Sequence, residues 1–141
     1  MVDPRDRGLA YGDGLFETLR VTANGVLPLW PWHLRRLQHG ARVLGLPFLP
    51  ESRYLSAVEE GVAALDGKPG VVKLTVTRGP GGRGYLPPSN PQPTLLCQAG
   101  PLPVWSNQLR EQGLVLGLCG EPLHPESLAG LKHLNRLPQV Q

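Results

Sequence analysis

The chain has 141 residues, 18 of them glycine and 16 proline, and a net charge of +3; this length suits one average domain, and its 26 Leu and 12 Val set it apart from a disordered chain. No window approaches the ~18 uninterrupted apolar residues of a membrane span, and the charged start MVDPRDRG lacks the apolar stretch of an export signal, so a cytoplasmic protein without membrane contact is expected. The basic residues are scattered, which argues against a nucleic-acid face, and Cys97 and Cys119 show no metal or disulfide spacing.

Arg7–Gly14 (RGLAYGDG) packs three glycines into seven residues and reads as a surface turn. Residues 15–22 alternate as a strand, Asn24-Gly25 fits a two-residue hairpin turn, and Val26–Leu29 would return as its partner. From Pro31 to Gly45 the period changes: Leu34, Leu37, Ala41 and Leu44 share a helical face. A second helix is expected from Pro50 to about Leu65, with Leu55, Val58, Val62 and Leu65 as its apolar stripe and Gly67 as its stop. Val71–Thr77 alternates as a strand, and residues 79–93 form a Gly/Pro-rich loop. Further strands are expected at Pro93–Ala99 and Leu114–Cys119, with a short helix near Ser106–Gln112.

Three segments add candidate chemistry to the glycine-rich turn. Arg78 continues the face of Val72, Leu74 and Val76, so its guanidinium could clamp a carboxylate at the strand end. The loop that it opens (RGPGGRGY) also reads as an ordinary long loop, and a single copy after a good strand argues against an RGG-like stretch for RNA. Arg36 in HLRRL adjoins the apolar stripe and could meet an anion such as phosphate. Lys132 sits among apolar neighbours in GLKHLNR; a desolvated lysine amine becomes a nucleophile, although most lysines are simply surface residues.

Taken in order, RGLAYGDGLFETLRV, HLRRL, VKLTVTRGPGGRGY and LAGLKHLNRL resemble the fold-type IV pyridoxal-phosphate enzymes, the class IV aminotransferase family. Within it the loop and the KHLNRL stretch are most similar to the aminodeoxychorismate lyase branch. The resemblance implies an α+β fold: a small N-terminal α/β domain of the D-amino-acid aminotransferase-like type over residues 1–100, a linker over 101–107, and the start of a larger cofactor domain over 108–141. It implies pyridoxal 5'-phosphate as cofactor, with Lys132 holding it covalently and acting as the catalytic group. Arg36 would bind the cofactor phosphate, and Arg78, Arg83 and Tyr85 would border the substrate.

The implied reaction cleaves the small molecule 4-amino-4-deoxychorismate to 4-aminobenzoate and pyruvate, in folate biosynthesis. The family implies a homodimer. Its members run to about twice this length, and the acidic partner of the cofactor ring would fall after Gln141. A truncated chain is therefore expected, with the family activity belonging to the longer architecture. A pyridoxal-phosphate aminotransferase is the alternative, and an inactive fragment or weak nucleic-acid binder the second.

Overall fold

The computed structural model describes residues 1–118 and 128–140. The apolar alternation of Val72, Leu74 and Val76 places strand β2 (Gly70–Thr77) at the centre of a three-stranded antiparallel sheet. Its neighbours are β1 (Gly14–Val21) and β3 (Thr94–Pro101). Leu15 pairs with Val76 and Leu19 with Val72, so the apolar sets of β1 and β2 share one face.

Two helices cover that face. Helix α2 (Trp30–Leu44) lies against β1, and α3 (Glu51–Ala63) against β2 and β3. Leu34, Leu37 and Ala41 of α2 are buried as their spacing requires, and Gly45 ends the helix with a φ of 60°. The helices approach closely because glycine faces the sheet: a Cβ on Gly40 would lie 2.8 Å from a Leu15 methyl, and one on Gly61 2.7 Å from Cys97 Sγ. The core is completed by Leu46, Tyr54 and Val58.

Four sequence expectations change. Arg7–Gly14 is not a bare turn: Arg7–Tyr11 forms a one-turn helix, α1, capped by the Asp6 carboxylate, which accepts from Gly8 N–H at 2.8 Å. The turn at Asn24-Gly25 forms, with Gly25 at φ 71°, but Val26–Leu29 does not return as a strand. Thr22 absorbs the turn's polar groups, Pro28 has no N–H to give a ladder, and Trp30 N–H already bonds Leu27 C=O as α2 begins. The α3 stripe is rotated toward Tyr54, Val58 and Gly61, the buried residues of that helix, which ends before Gly67. Residues 114–118 are exposed and form no strand; Cys119, the last residue of that expected strand, lies outside the described residues.

The short helix after β3 is present as α4 (Asn107–Gln112), capped by Ser106, whose hydroxyl accepts from Leu109 N–H. A last turn, α5 (Leu137–Val140), carries Pro138 in its first turn, where a missing N–H costs nothing. Among the described residues no helix is long and apolar enough to cross a membrane.

Candidate functional site

Residues 131–134 lie along the outer edge of β1. Phe16 N–H donates to Lys132 C=O at 2.9 Å, Leu134 N–H donates to Gly14 C=O at 3.0 Å, and Leu15 and His133 form a bridge. Strand-like alternation then decides which way each side chain goes. Leu131 and His133 are buried, whereas Lys132 emerges half-buried with its Nζ 4.0 Å from the centre of the Phe16 ring.

The segment is fastened at its far end. Asn135 Nδ2 donates to Gly12 C=O, and Arg136 donates to the carbonyls of His133 and Leu131 at 2.9 and 3.1 Å. Those bonds hold the Arg136 guanidinium 5.3 Å from the Phe16 ring, and Lys73 approaches the same ring at 5.0 Å from β2. Three cations thus converge on one phenyl group. Burial lowers the proton affinity of the Lys132 amine; the Glu17 charge opposes this, while Arg36, Arg136 and Lys73 add to it, and the outcome is below the ordinary lysine value.

Glu17 is the next inward-facing residue of β1 after Leu15, and it is buried to 1% exposure. Arg36 of α2 meets it with two parallel bonds, Nε to Oε1 at 2.7 Å and Nη2 to Oε2 at 2.6 Å. His33, one helical turn earlier, places Nδ1 2.8 Å from Oε2. The carboxylate hydrogen bond raises the Arg36 proton affinity still further, so its charge is permanent. Arg36 Nη1 has no hydrogen-bond partner among the described residues. The anion that Arg36 meets within the chain is therefore Glu17, with one edge of the guanidinium left over.

Arg78 does clamp a carboxylate, that of Asp13. Its Nε and Nη2 reach Asp13 at 2.8 and 3.0 Å, and its remaining donors take the carbonyls of Leu44 and Gly45. Arg7 Nε shares Asp13 Oδ2 at 2.8 Å. Asp13 thus joins two buried guanidiniums; burial works against its ionised form, but the bonds from Arg78 and Arg7 prevail and hold its carboxyl below the ordinary range. Arg83 is exposed, and Tyr85 is exposed with its ring tilted against Tyr11 at 5.5 Å.

The fold brings together Lys132 and Arg36, through Phe16 and Glu17 on consecutive positions of β1. No hydrogen bond or ring contact among the described residues joins Arg78, Arg83 or Tyr85 to Lys132. Sequence reasoning missed Glu17, Asp13 and Phe16. Only Glu17 carried a signal, an acidic residue on the apolar side of a strand.

The family described as amino-transferase class IV matches residues 14–141. An aminodeoxychorismate lyase from Vibrio harveyi is 35% identical over 136 residues, 96% of this chain and 49% of that protein. The crystal structure of 4-amino-4-deoxychorismate lyase from Pseudomonas aeruginosa is 44% identical, with a TM-score of 0.80 over 99% of this chain and 51% of that one. A hypothetical aminotransferase from Mycobacterium tuberculosis, in a PLP-bound form, is 30% identical with a TM-score of 0.60, covering 73% of this chain and 34% of that one. The chain spans about half the length of these lyases and corresponds to their α+β N-terminal part.

Proposed function

Since the chain belongs to the class IV aminotransferase family, we propose that it carries one half of an aminodeoxychorismate lyase site, with Lys132 as the catalytic amine. The observation behind this reading is the half-buried Lys132 amine on the Phe16 ring, beside the Glu17–Arg36 pair. The donor set suits pyridoxal 5'-phosphate. An amine of lowered proton affinity can bond an aldehyde, and the free edge of a charged guanidinium can meet a phosphate.

Lys132 would hold the cofactor, and Arg36 would bind its phosphate. When bound, pyridoxal phosphate supplies an electron-withdrawing ring that stabilises negative charge on the substrate carbon beside the amine. Lys132 Nζ, neutral at lower pH than an ordinary lysine, takes a proton and later returns one. Phe16 keeps water from one side of that amine. Arg83 and Tyr85 border the mouth, where the substrate carboxylates enter. Arg78 acts at one remove, by fixing Asp13 and the start of the loop. Residues 1–100 would form the small domain of a homodimeric enzyme, 101–107 its linker, and 108–141 the beginning of the cofactor domain.

Completed by the C-terminal half of a lyase relative and supplied with pyridoxal phosphate, the chain should release 4-aminobenzoate and pyruvate from aminodeoxychorismate, and Lys132→Ala should release neither. The likeness to an aminotransferase supports a second reading. Amino transfer from D-alanine or a branched-chain amino acid to a keto acid, without pyruvate release from aminodeoxychorismate, would establish that reading instead.

A further inference from the structure

We propose that Arg7 is the positioning residue of the loop tip, holding Gly84, Tyr85 and Leu86 in one course and so setting where Arg83 and Tyr85 stand. The role given to those two residues rests on the functional reading above; the anchoring itself does not.

The loop leaves β2 under backbone control. Arg7 N–H donates to Gly79 C=O at 3.0 Å, Gly81 N–H to Arg5 C=O at 3.1 Å, and Asp6 bridges Pro80. It rejoins the sheet at Thr94, whose hydroxyl donates to Asp6 Oδ2 at 2.6 Å. Between these anchors the chain is rich in glycine and proline and has no ladder of its own.

Arg7 supplies what the ladder does not. Its Nη2 donates to Tyr85 C=O at 2.8 Å, and its Nη1 to Gly84 and Leu86 C=O at 3.2 and 3.4 Å. Among the described residues, these are the only hydrogen bonds that reach residues 82–91 from outside the loop. The guanidinium is itself immobilised: it is 5% exposed, fastened to Asp13 through Nε, and stacked 4.8 Å from the Tyr11 ring. Asp13 in turn is gripped by Arg78. A planar fork with five donors can serve one carboxylate and three carbonyls at once; an ammonium cannot.

Trypsin reads the arrangement directly, since Arg83-Gly84 is a cleavable bond in an exposed loop. Cleavage follows the population of the opened loop. In Arg7→Ala, cleavage after Arg83 should quicken at least about tenfold, as the loss of three charge-assisted bonds predicts, while cleavage after Arg110 in α4 stays constant. Arg7→Lys should recover part of the protection. Ethylguanidine added to Arg7→Ala should recover more, an effect that a merely packed side chain would not give. If the Ala variant fails to fold, the Lys variant with and without ethylguanidine decides alone.

Equal acceleration after Arg83 and Arg110, or no response to either rescue, would overturn the assignment. The functional reading fails separately: Arg83→Ala and Tyr85→Phe would then leave binding of aminodeoxychorismate to the cofactor-loaded chain unchanged, with the loop protected as before.

Discussion

Glu17 takes two parallel hydrogen bonds from Arg36, at 2.7 and 2.6 Å, with its carboxylate buried in the sheet and the guanidinium half-exposed. The geometry aims Arg36 with one edge spent and one edge available. Glu17→Gln keeps the size but removes the charge and one acceptor. Pyridoxal phosphate should then bind about tenfold more weakly, the worth of one charge-assisted bond, as read by titrating the cofactor into each variant. Because Arg36 can hydrate where it stands, the loss of stability should be only about 1–2 kcal/mol.

The Lys132 amine should respond to its neighbours in a set order. Glu17 favours its charged form, and Arg136 disfavours it, against a background of burial that lowers its proton affinity. The pH midpoint for acylation of Lys132, followed by mass spectrometry, should fall in Glu17→Gln and rise in Arg136→Gln. Both should be set against a parent midpoint below that of a free lysine peptide. The folded chain binds fewer protons at this site than the unfolded one between those two values. Stability from this group therefore grows as pH rises through that window. The reverse order of midpoints would refute the electrostatic account.

Asp13→Asn should cost about 3–5 kcal/mol in urea unfolding, because two buried guanidiniums lose their shared partner. The folded carboxyl titrates below its ordinary value, so its contribution is complete above that value and is lost as pH falls through the lowered one. The variant's stability should thus decline less steeply in acid than the parent's.

Helix α3 rests on the sheet at Gly61, where an added Cβ would meet Cys97 Sγ at 2.7 Å and a Val72 methyl at 3.1 Å. Gly61→Ala gains about 1 kcal/mol of helix preference but should lose about 1–3 kcal/mol to overpacking. Cys97→Ala should recover part of the loss, because it removes the nearer clash. The coupling appears as non-additivity in a double-mutant cycle of unfolding free energies.

Local patterns made β1, β2, α2 and the loop after Thr77 legible in the sequence, since each follows a period or a run of turn residues. Lys132 stood out by its apolar setting and its motif. What could not be read was pairing between distant segments. The place of Arg78 at the end of β2 suits it to hold a carboxylate, but nothing local identifies Asp13 as the one it meets within the chain. Tyr54 lies outside the expected α3 stripe, yet its hydroxyl oxygen accepts Leu49 N–H at 2.9 Å and the residue is buried. Residues 114–118 have strand-like composition, but a strand exists only beside a partner.

Covalent capture tests the central claim most directly. The chain is incubated with pyridoxal phosphate, reduced with borohydride, digested and mapped by mass spectrometry. The account predicts the reduced adduct on Lys132 and not on Lys68 or Lys73, weakened in Glu17→Gln and absent in Lys132→Ala. No adduct, or equal labelling of the three lysines, would contradict it.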